Sequence, residues 1–136
     1  MNPEQFKIFR KTSNFNKELY DLGRIAEIEV LEKLRIFFND ESINHLTEGH
    51  SFDYLGKNKY IELKSRRVNR LTYEDTAIGI KKINLAKEGI DDYYFVFKYI
   101  NGLFYWKYNK DQELRKGMLN NISHYFIPVN ILIKIL

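Results

Sequence analysis

Asp53, Glu62 and Lys64 are the residues of this chain whose types and spacing could do chemistry together. They stand in the run 52–64, Phe-Asp-Tyr-Leu-Gly-Lys-Asn-Lys-Tyr-Ile-Glu-Leu-Lys. The run reads as two short strands around a Gly-Lys-Asn-Lys turn. If residues 56–59 form a four-residue loop, Leu55 faces Tyr60 and Asp53 faces Glu62. Directly opposed residues on one face of an antiparallel pair hold their Cβ atoms about 5 Å apart, so two carboxylates there can share one divalent cation. Lys64 lies two residues beyond Glu62, and side chains alternate along a strand, so it points to the same face. Two acids and an ammonium on a sheet face are costly unless a metal or an anion joins them. A hard cation held by oxygens, with an ammonium beside it, is suited to binding and cleaving a phosphodiester.

Elements on both sides must position that constellation. Upstream, Ala26, Val30, Leu34 and Phe37 recur at helical spacing, and Leu31 and Phe38 widen the apolar stripe. On a helical wheel Glu27 falls inside this stripe, whereas Glu29 and Glu32 fall outside it. A carboxylate on the buried face of a helix needs a partner. Downstream, Thr72 and Asp75 suit a helix start in the manner of a capping box, with Asp in place of the usual Glu. Ile78, Leu85 and Ala86 would pack inward from that helix, and Gly89 would end it. Lys81 and Lys82 rise from it, and Lys82, one turn from Ile78 and Ala86, is expected to face the sheet.

Asp53 followed by Glu62-Leu63-Lys64 resembles the D…(D/E)xK signature of the PD-(D/E)xK nuclease superfamily, which includes restriction endonucleases and archaeal Holliday-junction resolvases; Phe52 replaces the motif's proline. Gly-Arg-x-Ala-Glu at 23–27 is similar to the superfamily's first-helix acid element, so that Glu27 matches the acid position and Glu29 is the fallback. The resemblance spans roughly residues 22–89, and small phage and viral nucleases are its nearest image. It implies an α/β fold with a restriction-endonuclease-like core, a mixed central sheet flanked by helices in αβββαβ order. It also implies a Mg²⁺-dependent DNA endonuclease, with Mn²⁺ as substitute, possessing some selectivity for junctions or branches. Asp53 and Glu62 would hold the metal, Glu27 would contribute directly or through water, and the Leu63 carbonyl is a possible further ligand. Lys64 would position or activate the attacking water, and Lys82 or Lys81 would lie near the scissile phosphate.

Charge distribution agrees with a polyanionic partner. Residues 57–87 hold nine Lys or Arg against three acids, a net of +6 within a chain of net +4, so the remainder carries −2. Arg66, Arg67 and Arg70 follow the Glu62–Lys64 strand directly. Clustered cations of this kind bind the phosphate backbone by counterion release, largely without reading sequence, and are here expected to contact DNA. The plainer reading of such a run is a solvated surface.

Composition bounds the rest. A chain of 136 residues makes one domain with a single core, and 44% hydrophobic with 29% charged residues is an ordinary globular balance. No stretch approaches the length needed to span a bilayer, and no leader pattern opens the chain. Cysteine is absent, which excludes disulfides and thiolate metal sites and agrees with an intracellular, cytoplasmic protein. Residues 1–15 read as an arm or first helix. Residues 93–99 and 103–108 read as strands joined by a two-residue Asn101-Gly102 hairpin, 111–118 as a short helix ending at Gly117, and 126–129 as an edge strand because Pro128 cannot donate to a ladder. The period-2 aromatics are expected to be core rather than base-stacking platforms, and the apolar 131–136 tail is expected to pack on the domain or, as second choice, at a homodimer contact.

His45, His50 and His124 lack zinc-site spacing, and no Ser or Cys nucleophile accompanies them. His50 and Glu48 are near enough in sequence to reach the rim of the Asp53 site. Two other classes fit the same residues: a non-catalytic DNA-binding domain of the same fold, and a protein-interaction module whose acids and lysine form a structural salt-bridge cluster.

Overall fold

The computed structural model describes residues 14–136 except Glu48. The expected N-terminal arm therefore lies almost wholly outside the described residues, as does Glu48. The protein is an α/β chain with a mixed multi-stranded sheet and, among the described residues, two α-helices. The described residues divide into two compact units, one ending at Lys57 and the other running from Asn58 to Leu136.

In the first unit, helix α1 (Asn14–Phe38) is followed by the antiparallel strands β1 (Asn44–His45) and β2 (Tyr54–Gly56). Ala26, Val30 and Leu34 are buried with Ile43, Phe52 and Tyr54, so that part of the apolar stripe is the packing face, whereas Phe37 at the helix end is exposed rather than packed inward. The helix stops at Asn39, which takes a left-handed φ of 49°, and Asp40 N–H reaches back to the Arg35 carbonyl at 3.0 Å. Arg35 then staples the helix to β1, donating to the Ile43 carbonyl at 2.8 Å and to Asn44 Oδ1 at 3.0 Å.

The second unit holds two sheets. In the first, β3 (Lys59–Ser65) pairs in parallel with β5 (Asp92–Tyr99). β5 pairs antiparallel with β6 (Gly102–Lys107), and β6 with the short β9 (Ile133–Lys134). In the second, β4 (Asp75–Gly79) and β7 (Arg115–Leu119) flank β8 (Ile122–Pro128), all antiparallel. Helix α2 (Ile80–Glu88) follows β4. β5 is buried on both faces through Phe95, Val96 and Phe97, and Leu103, Phe104 and Trp106 of β6 complete that core. No helix among the described residues is long and apolar enough to cross a membrane.

Several local expectations are corrected. The turn after β2 is the two-residue Lys57-Asn58, with Asn58 at φ 57°, and Gly56 and Lys59 belong to strands rather than to a four-residue loop. Residues 75–79 form a strand, not the start of a helix, because Thr76 and Ile78 alternate inward and the whole segment finds a partner in β8. Helix α2 begins at Ile80 with Gly79 at its N-cap and no side-chain cap, and Leu85 is 40% exposed rather than packed inward. Residues 115–119 are strand rather than helix: Asn120 and Asn121 both take positive φ, 51° and 63°, and close a tight hairpin onto β8. β8 is the central strand of its sheet, not an edge, and tolerates Pro128 because the proline is its last residue. The β5–β6 loop is Ile100-Asn101, shifted by one from the expected pair, with Gly102 inside β6 at φ 151°.

Candidate active site

The centre of the candidate site in residues 58–136 is Glu62. It lies midway along β3 between Ile61 and Leu63, all three buried, and is itself 4% exposed. Two ammonium groups converge on one of its oxygens: Lys64 Nζ at 3.2 Å and Lys82 Nζ at 3.3 Å from Oε2. Lys64 comes from the same strand, two residues on, by the alternation of side chains. Lys82 comes from α2, whose buried Ile83 and Ala86 fix the helix rotation that turns it inward, whereas Lys81 is exposed. A carboxylate buried this deeply is costly unless cations hold it, and both lysines do so here.

The expected DNA-contacting arginines divide into two kinds. Arg66 donates from Nε to Thr76 Oγ1 at 2.9 Å and from Nη2 to the Ala77 carbonyl at 2.8 Å, and its guanidinium lies 5.7 Å from the centre of the Phe97 ring. Burial draws its pKa down, but a guanidinium stays charged. Arg70 donates to the Val129 carbonyl at 3.0 Å and lies 4.9 Å from the centre of the Phe104 ring. Both are built into the frame that joins the 66–73 segment to its neighbours. Arg67 is exposed.

The first unit holds the other two expected acids. Glu27 is half-buried on α1, and its Oε2 is 2.5 Å from His45 Nε2 on β1. Glu29 is exposed, so the acid on the packing side of the helix is Glu27. Asp53 precedes β2, half-buried, and its carbonyl accepts from Leu46 N–H at 2.7 Å. Between them stands Tyr54, fully buried, whose hydroxyl donates to the Glu27 carbonyl oxygen. Burial, then the charges of Glu27 and Asp53, push its phenol far above the ordinary tyrosine value. The two acids therefore share an electrostatic neighbourhood at Tyr54.

His45 and Tyr54 are the residues that sequence reasoning passed over. His45 lacks zinc-site spacing, a test blind to a single His–Glu pair formed across 18 residues. A weak signal existed: Glu27 on an apolar face needs a partner, and His45 is a candidate donor in the next element. His50 is exposed. Among the described residues, no group of three or more His, Asp or Glu side chains is gathered as a metal-binding cluster. No protein-family model, curated protein or solved structure matches this chain.

Proposed function

We propose that this protein is a metal-dependent endonuclease acting on DNA, with a restriction-endonuclease-like core. The observation that carries the reading is Glu62, a carboxylate sunk in a strand with Lys64 and Lys82 both directed at its Oε2. A strand that only needed to be buried would place an apolar residue there. The ligands that the resemblance implies, the carboxylates of Asp53 and Glu62, Glu27 directly or through water, and the Leu63 carbonyl, are hard oxygens of the kind Mg²⁺ or Mn²⁺ takes. When bound, such a cation acidifies water and polarises a phosphoryl oxygen. The chain's own part is to hold charge in place. Lys64 orients the attacking water and offsets charge developing on the phosphorane, and Lys82 holds a non-bridging phosphate oxygen from the helix side. Arg67 adds backbone attraction from the surface, and Arg66 and Arg70 shape the segment that carries it.

The direct test incubates supercoiled plasmid and a four-way junction with the protein, in Mg²⁺ or in EDTA. Nicking in Mg²⁺ alone is the expected outcome, and preferential junction cleavage would add a homodimer, since paired cuts need two sites. No cleavage of any DNA or RNA with Mg²⁺ or Mn²⁺ overturns the reading. A second reading, a structural ion-pair cluster in a non-catalytic nucleic-acid-binding or protein-interaction module, is favoured by the engagement of Glu62 Oε2 with both lysines. Salt-dependent DNA binding without cleavage would support its nucleic-acid form, and no DNA binding its protein-interaction form.

A further inference from the structure

Beyond Lys64 the chain opens onto a cleft of about 590 Å³ within residues 58–136, between the 66–73 segment and the β4–β8–β7 sheet. Its walls include Arg66, Arg67, Arg70, Tyr73, His124 and Phe126. The cleft adjoins the Glu62–Lys64 strand. Ser65, the last residue of β3, lines it, and Arg66 lies over the ring of Phe97, the register partner of Lys64.

Its chemistry is specific. The cleft is cationic: three arginines line it, and its aspartate, Asp75, is already bound by Arg115 at 2.9 Å. Its aromatic groups differ in availability. Phe126 carries the Arg115 guanidinium 4.1 Å from its ring centre, whereas Tyr73 is 65% exposed. His124 Nδ1 lies 2.8 Å from the Ile122 carbonyl and must donate to it, so in the neutral ring Nε2 is an acceptor. Arg70 Nε is buried without a hydrogen-bond partner. An anion with a flat ring suits this lining: a phosphate for the exposed Arg67, a π-face for Tyr73, and a ring N–H for His124.

We infer that this cleft takes an unstacked nucleotide of single-stranded or frayed nucleic acid, its base on Tyr73 and its phosphate at Arg67. The inference deepens the nucleic-acid reading and rests on it. A duplex keeps its bases stacked and cannot offer one to Tyr73, whereas a single strand, a flap or a junction branch point can. Volumes of several hundred Å³ suit a ligand of nucleotide size, and aromatic stacking with cationic backbone contacts is how proteins hold single strands without reading sequence.

The test measures binding of a labelled twelve-residue oligothymidine and of a blunt duplex, both in EDTA so that chemistry is silent. The wild-type protein should bind the single strand, and Tyr73→Ala should weaken it about tenfold while Tyr73→Phe retains affinity. Duplex affinity should change by less than about twofold in either variant, because duplex bases stay stacked. Arg67→Ala should flatten the salt dependence for the single strand by roughly 0.7, the slope of one phosphate contact. Tyr73 and Arg67 are both exposed, and melting curves of each variant confirm that the fold is kept. Equal single-strand affinity in wild type and Tyr73→Ala overturns the inference. So does displacement of the strand by thymidine monophosphate as effective as by unlabelled strand, which would make the ligand a free nucleotide. Duplex binding without single-strand binding removes the cleft and leaves the nuclease reading standing. Single-strand binding in a protein that never cleaves removes the nuclease and leaves the cleft. Binding of neither removes both.

Discussion

Glu62 and its two lysines separate catalysis from architecture because the roles predict different losses. Lys82 remains beside Glu62 when Lys64 is removed, so Lys64→Ala should cost only about 1 kcal/mol of stability, Lys64 being partly solvated. Under the proposed nuclease reading the lysine acts in the transition state, so the cleavage rate should fall steeply while DNA affinity holds. Affinity for Mn²⁺ should rise with one competing cation gone from Oε2, a shift that calorimetry would detect. Glu62→Gln is the more damaging change. It leaves two ammonium groups without their shared carboxylate and should cost roughly 3 kcal/mol, read from the urea midpoint. Tyr54 offers a test at high pH. Its folded pKa lies above the unfolded value of about 10, so its contribution is intact below that pH and is lost as pH rises beyond it, where the unfolded chain sheds the proton first. Stability should therefore fall between pH values of about 9 and 11, and more steeply in the parent protein than in Tyr54→Phe. Identical slopes would show that Tyr54 ionises as freely in the folded state.

At the scale of elements, the β5–β6 hairpin carries the C-terminal tail. Leu103 N–H donates to the Leu136 carbonyl at 3.1 Å, and Ile135 N–H donates to the Leu103 carbonyl at 2.7 Å. Gly102 makes the approach possible. Its φ is 151°, and a Cβ there would stand 2.7 Å from the Leu136 oxygen. Gly102→Ala should therefore destabilise by roughly 1–3 kcal/mol and release the tail, seen as faster amide exchange at Leu103 and Ile135. A variant as stable as the parent would contradict this placement. What the sequence made legible follows from locality. The α1 stripe, the β5 and β6 aromatics, and the Glu62–Lys64 alternation are one-element patterns, and each is found in the expected element. β4 and β7, and the central place of β8, are not legible locally because the three strands depend on one another. Thr72 and Asp75 resemble a helix start, and only the partner β8 makes 75–79 a strand. The Asn120-Asn121 turn was the overlooked local clue, since Asn tolerates the positive φ of a tight hairpin. Lys82 was placed from helical spacing, and it meets Glu62 even though the helix begins later than expected. The internal hydrogen bonds of Arg66 and Arg70 are not legible in sequence, because a charge run carries no sign of them.

At the scale of the whole chain, the excess positive charge of residues 57–87 surrounds Glu62 in sequence, and part of it is spent on the frame. Triple replacement of Arg66, Arg67 and Arg70 would therefore mix lost affinity with lost stability, and Arg67 alone is the cleaner probe of DNA binding. The central proposal is that cleavage depends on a divalent cation and on the Asp53 carboxylate. Asp53→Asn tests it most directly. The substitution keeps shape and removes one charge, so the melting temperature should stay near that of the parent. The decisive measurement is the initial rate of plasmid nicking in Mg²⁺ by the parent and by Asp53→Asn at matched folded concentration. The account predicts cleavage by the parent that EDTA abolishes and a rate at least about a hundredfold lower in Asp53→Asn, a loss of about 2.7 kcal/mol in transition-state stabilisation. Equal nicking rates in the two proteins, or nicking that survives EDTA, would contradict it.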